Sequence, residues 1–209
     1  MRGSGERSAT YGTGRLEAFS DGVIAVAITL LVLDLKVPQP DDGGSLAGQL
    51  ARMWPNILAY IISFLAIGIM WLNHHAALRR LRAVDHAVLV VNLLLLLCIV
   101  TLPFSTSLFS TYLTDPDGGH LAAVVYAGSF LVTSLMFLAL QWLIIVRRRH
   151  LLHEPLAAAS QRTVLLRGVI AAPVYLLAAL LGLVTPYLTL AVCILLGLFY
   201  LLPLRRRGS

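Results

Sequence analysis

The side chains able to do chemistry in this chain are few, and nearly all sit at the ends of long apolar runs. Arg15, Phe19, Ser20 and Asp21 head the run Gly22 to Leu33 (GVIAVAITLLVL). Trp71, Asn73, His74 and His75 close a second run, while Asp85, His86 and Asn92 open a third. A charged group held in lipid costs about 2.5–3.5 kcal/mol on insertion scales, so it needs a partner or water. Asp21 at the start of a helix is therefore expected in a specific interhelical network. Arg15 lies six residues earlier, about 120° away around a helix, and cannot pair with Asp21 along one face. Trp71, His74 and His75, at i, i+3 and i+4, share one side of their helix and are the expected partners. Such a set either docks helices together or, as Asp21, His74 and Asp85, forms a proton relay. No cysteine or carboxylate run accompanies the two histidines, so a structural or interfacial role is favoured over metal ligation and no metal site is expected. Asn92 reads as interhelical glue.

Those side chains must be positioned by membrane-spanning helices. Of the 209 residues, 58% are hydrophobic and only 12% charged, with a mean hydropathy of +0.84. A soluble domain carries about one quarter charged residues, so this chain cannot cover itself with a solvated surface. Crossing a hydrocarbon core of about 30 Å takes about 20 helical residues. Six such spans can be drawn: 16–36, 54–77, 85–110, 121–146, 164–184 and 187–204. Pro38 to Gly44 (PQPDDGG) and Asp115 to Gly119 (DPDGG) are polar turns between them, and Thr185-Pro186 joins the last two as a tight hairpin. Residues 1–14 read as a disordered tail and 205–209 as a basic tail. The first span lacks a small-residue cleavage site and reads as a spanning helix rather than a signal peptide. Cys98 and Cys193 both fall inside apolar spans, as small buried hydrophobes.

Charge placement orients the spans. Of sixteen Lys and Arg, two (Lys36 and Arg52) lie in odd-numbered loops, which leaves fourteen in the tails and even-numbered loops. Basic residues accumulate on the cytoplasmic side, so the split predicts an even number of spans with both termini in the cytoplasm. It also argues against nucleic acid as a partner, because the net charge of +6 marks helix ends and not a groove that tracks phosphates.

The pattern Arg-x-x-x-Phe-Ser-Asp-Gly at residues 15–22, followed by Trp-x-x-His-His at 71–75, resembles the prokaryotic branch of the transmembrane protein 175 potassium channels. Asp85, Asn92 and Pro103-Phe104 also fit. The resemblance implies a fold and an activity. The fold is an all-α integral membrane homotetramer with six helices per chain, residues 15–204 forming one channel domain. The first helix of each chain lines a central pore that has no backbone-carbonyl filter. The implied activity is a K⁺-preferring channel with K⁺ as permeant ion, no cofactor, membrane lipids as surroundings, and a multi-pass place in a prokaryotic plasma membrane. Carried over by distance from Asp21, the family's constriction falls on Val26, Thr29 and Leu33, with Thr29 as the selectivity ring; Leu30 joins Val26 and Leu33 as a constriction candidate because it shares their stripe. Val26 stands where the family usually carries a larger Ile or Leu. A shorter side chain either widens that ring or passes the constriction to Leu30 and Leu33.

Helical geometry divides these roles. At about 100° per residue, Val26, Thr29, Leu30 and Leu33 form a stripe about 100° wide, with Ser20 and Asp21 well outside it. Ser20 and Asp21 are therefore expected to dock the first helix, not to touch the ion. Periodicity alone does not expose this stripe, since the run is apolar nearly all round, and a lone membrane Thr most often bonds its own helix backbone. A proton-coupled carrier using Asp21, His74 and Asp85 is the second reading. Carriers commonly show internal repeats and broken helices. No repeat of the first span is visible, and no Pro or Gly interrupts it between Val23 and Leu35. No Thr-Val-Gly-Tyr-Gly filter, Arg-rich voltage sensor, phosphate-binding loop or nucleophile constellation appears, so an enzyme is not expected.

Overall fold

A computed structural model describes residues 12–40 and 43–201. Seven α-helices follow one another: α1 Thr13–Leu30, α2 Leu46–Arg52, α3 Trp54–Leu78, α4 His86–Tyr112, α5 Gly119–Trp142, α6 Ala158–Gly182 and α7 Pro186–Leu201. A 3₁₀ turn, Leu31–Asp34, prolongs α1, and a π turn, Leu143–Arg147, prolongs α5. Five helices are long and apolar enough to cross a membrane: α1 and α5 with these extensions, α3, α4 and α6. The sixth apolar segment, α7, has 16 residues and is shorter than a usual span.

The expected spans fall on these helices, with three corrections. Helix α6 begins at Ala158, six residues before the expected 164. Helix α1 begins at Thr13, so the expected tail of residues 1–14 ends two residues too late; residues 1–11 and the basic tail 205–209 lie outside the described residues. The loop after α1 also carries the unexpected short helix α2. Ser45 caps it by accepting a bond from Gly48 N, and Arg52 and Gln49 reach back to the carbonyl of Gly43. Gly43 and Gly44 have φ of 74° and 81°, the left-handed backbone that glycine tolerates best.

Local chemistry sets the other ends. Pro55 sits in the first turn of α3, where its missing N–H costs nothing. Asp85 caps α4 by accepting from Val88 N at 3.0 Å. The core is a ladder of rings crossing three helices. Phe109 (α4) stacks on Tyr126 (α5) at 4.6 Å, Tyr126 meets Phe130 edge-on at 5.1 Å, and Phe130 stacks on Tyr175 (α6) at 5.4 Å. The Tyr126 hydroxyl bonds Ser63 of α3 at 3.0 Å, and Ser63 accepts from Thr106 of α4 at 2.8 Å. These pairs satisfy polar groups where lipid offers no partner.

Lipid tails are as apolar as leucine, so membrane helices associate through close packing of small residues. Gly182 shows this closely. A Cβ built on it would lie 2.7 Å from Thr189 Oγ1 and 3.0 Å from the Ala123 Cβ. Gly182→Val should therefore separate α6 from α5 and α7 and cost about 1–3 kcal/mol through overpacking. Thermal unfolding in detergent is the check, with Gly197→Ala, where a Cβ meets nothing within 4 Å, as the neutral comparison.

Candidate functional site: the two faces of the first helix

Helix α1 packs against α3 and α4 through Leu16, Ser20, Ile24, Ala27 and the following Leu31, spaced every three or four residues. Its opposite face is uncovered. Val26 is 56% exposed, Leu30 42% and Leu33 71%, and Thr29 is exposed beside them. The stripe expected to line a pore is thus free in the single chain, and the signature residues expected to dock the helix are on its packed side.

The docking is done by a chain of three side chains that are each 0% exposed. His74 Nε2 lies 2.7 Å from Asn92 Oδ1, and the Asn92 amide donates to Ser20 Oγ at 3.0 Å. One residue from each of α1, α3 and α4 takes part. A second cluster lies beside it, half-buried. Trp71 Nε1 donates to Asp21 Oδ1 at 2.9 Å, while His75 Nδ1 sits 3.1 Å from Glu17 Oε1 and 3.7 Å from Asp21 Oδ2. The Trp71 and His75 rings lie 5.8 Å apart, consistent with their i, i+4 spacing.

Several expectations change here. Glu17 belongs to the network although its place in the sequence did not single it out. It sits one helical turn before Asp21, and that i, i+4 spacing was the available signal. One of the two histidines does have carboxylates beside it, contrary to expectation: ligand atoms of Glu17, Asp21 and His75 all lie within 4.8 Å of one another, while His74 turns to Asn92. One Asp21 oxygen is already taken by Trp71. Phe19 is 52% exposed, because one residue before Ser20 is a quarter-turn away from the docking face. Arg15 is exposed and makes no ion pair among the described residues.

Asp85 is also not part of this network. It is 5% exposed, caps α4, and meets Arg148 Nε at 2.6 Å. It therefore fastens the loop after α5 to the start of α4, next to an antiparallel pairing in which Arg82 N donates to Leu151 O and His153 N donates to Arg80 O. A relay through Asp21, His74 and Asp85 has no continuous hydrogen-bonded path among the described residues. The two carboxylates belong to separate clusters. Asp85→Ala should cost about 1–2 kcal/mol, mainly the lost cap and an orphaned N–H, with little added by the half-exposed Arg148. A thermal melt set against Asp85→Asn, which keeps the cap, separates the two contributions.

Thr29 Oγ1 donates to its own backbone, to Val26 O at 2.8 Å. With its proton turned to the helix, the hydroxyl presents oxygen lone pairs to the exposed side, the polarity a cation needs.

Residues 15–103 match the model of the family described as endosomal/lysosomal potassium channel TMEM175. A protein of Streptomyces collinus named as a potassium channel is 42% identical over 90% of this chain and 91% of its own length. The human endosomal/lysosomal proton channel TMEM175 is 37% identical over 49% of this chain but only 22% of itself. Among solved structures, a lysosomal potassium-selective channel TMEM175 homologue from Chamaesiphon minutus superposes with a TM-score of 0.80. It is 36% identical and covers 90% of this chain and 95% of that one. Near-full-length similarity to bacterial relatives, together with the Arg-x-x-x-Phe-Ser-Asp-Gly helix docked by Trp71, His74 and Asn92, places this chain in the TMEM175 family.

Proposed function

We propose that this chain is a potassium channel of a prokaryotic plasma membrane. In this reading four copies assemble with α1 of each around a central pore, α7 completes six spans, and both termini are cytoplasmic. The observation that carries the reading is the uncovered stripe of α1. The helix is fixed along one side by buried polar bonds, and the other side presents Val26, Thr29, Leu30 and Leu33. A single chain has one α1 and cannot enclose a pore with it, so the mechanism requires a closed oligomer. The relatives' names and the positive-inside charge split agree with it.

The pore would be closed by apolar side chains. A hydrated cation entering a ring of Val26, Leu30 or Leu33 loses water and gains no ligand, so the constriction dewets and gates. The Thr29 ring lies within the same turn and offers four hydroxyl oxygens in place of backbone carbonyls. Protein in liposomes should then show passive K⁺ flux that follows the K⁺ gradient and needs no counter-ion. Strictly coupled, electroneutral exchange would overturn the channel reading. Thr29→Val, which removes the oxygen at nearly constant volume, should lower the K⁺/Na⁺ permeability ratio severalfold, whereas Thr29→Ser should keep it. Leu195, 66% exposed on α7, is a suitable comparison position. Leu31 is not, because at 1% exposure it packs into the bundle.

A further inference from the structure

A cavity of about 190 Å³ lies among α3, α5, α6 and α7, on the far side of α3 from α1. It is larger than the roughly 150 Å³ apolar cavities that hold a benzene molecule. It is also long: its α3 wall runs from Ile62 to Ala76, about 21 Å at 1.5 Å per residue, and the lining continues to Arg80 just past the helix end. The wall is mostly apolar and aromatic, with Phe130, Ala171 and Tyr175 among its residues, and Asn73, Ser134 and Gln141 add polar groups to it. The mouth carries Arg80 and Arg167, and neither guanidinium has a carboxylate partner among the described residues. This is the end of the bundle that also bears Arg79, Arg82 and Arg148, the side assigned to the cytoplasm.

A long, narrow, mostly apolar slot ending in two unpaired cations at a membrane edge is complementary to an acyl chain with an anionic head. Basic pockets between membrane helices on the cytoplasmic side bind anionic lipid headgroups through this combination of charge and depth. We propose that the cavity is a binding site for an anionic phospholipid of the cytoplasmic leaflet, with one acyl chain in the slot and its phosphate on Arg80 and Arg167. Occupancy would fasten α3, which carries Trp71, His74 and His75, to α6 and α7. The site is separate from the pore, so its test does not depend on ion conduction.

Native mass spectrometry of the full chain in detergent would titrate phosphatidylglycerol, phosphatidylcholine with the same acyl chains, and glycerol phosphate. Phosphatidylglycerol should bind at least tenfold more tightly than either of the others. The pair Arg80→Gln with Arg167→Gln should weaken it about tenfold or more and leave phosphatidylcholine unchanged. Arg82→Gln, an exposed cation outside the slot, should change nothing, which separates the site from general surface attraction. Ala171→Trp, and the milder Ala66→Leu should the first not fold, would fill the slot and weaken the phospholipid with both arginines intact. Equal binding of the two phospholipids would overturn the proposal. So would an unchanged arginine pair, glycerol phosphate binding as well as the whole lipid, or Arg82→Gln costing as much as the pair.

Discussion

Asn92→Ala should lower the thermal unfolding midpoint by about 5–15 °C, the scale on which 2–4 kcal/mol registers in a chain of this size. Asn92 is 0% exposed and bridges His74 Nε2 and Ser20 Oγ. Interhelical hydrogen bonds in membranes average only about 0.6 kcal/mol in double-mutant cycles, because the separated helices find other partners. Truncating Asn92 is a different operation. It leaves a buried imidazole nitrogen and a buried hydroxyl without partners, each costing about 1–3 kcal/mol, and adds a small void. Ser20→Ala removes one end only, so it should cost less, and the double variant should cost less than the sum. A midpoint for Asn92→Ala within about 1 °C of the parent would show that the bridge does not hold α1 to α3 and α4.

The second large effect concerns the exposed stripe. Asn replacing the side chain of the narrowest ring should raise passive K⁺ efflux from liposomes tenfold or more, equal to about 1.4 kcal/mol off the barrier. The physical cause is rewetting: an amide at each of four positions holds water where an apolar ring expels it. Val26, Leu30 and Leu33 are the three positions to compare, and the one with the largest effect identifies the constriction. Val26 is smaller than Leu, so a larger effect at Leu30 or Leu33 would mean that the constriction has moved along the helix. If Asn at all three leaves efflux within twofold of the parent, the gate is elsewhere.

The sequence carried the helices clearly because span length and charge are one-dimensional quantities. Each expected span is matched by a helix to within a few residues at most boundaries, from α3 at Trp54–Leu78 to α7 beginning at Pro186. The split between docking and exposed faces of α1 was also legible once the resemblance had singled out Val26, since helical spacing then separates Ser20 from it by about 120°. Partnership between distant elements was legible only in part: Trp71 and His75 were expected beside Asp21 and lie there, while His74 turns to Asn92 instead. That Asn92 joins Ser20 to His74, or that Asp85 meets Arg148 and not Asp21, depends on how helices cross in space. Glu17 shows the intermediate case, where an i, i+4 relation to Asp21 gave the face but not the His75 beyond it. The cavity with Arg80 and Arg167 at its mouth was illegible for the same reason, because its walls come from four helices. Helix α2 was missed because seven residues in a Gly-rich loop carry no periodic signal.

The central claim is that the uncovered face of α1 lines an ion path. Cysteine substitution tests it directly, in a background where Cys98 and Cys193 are replaced by Ala. Single cysteines at Val26, Thr29 and Leu33 would be treated with a small cationic thiol reagent while K⁺ current is recorded across a bilayer. The account predicts block at Thr29 and Leu33, with K⁺ slowing the reaction at Thr29, and no reaction at Ala27, which is 0% exposed on the docking face. Unimpeded current after complete labelling at Thr29 and Leu33 would contradict it.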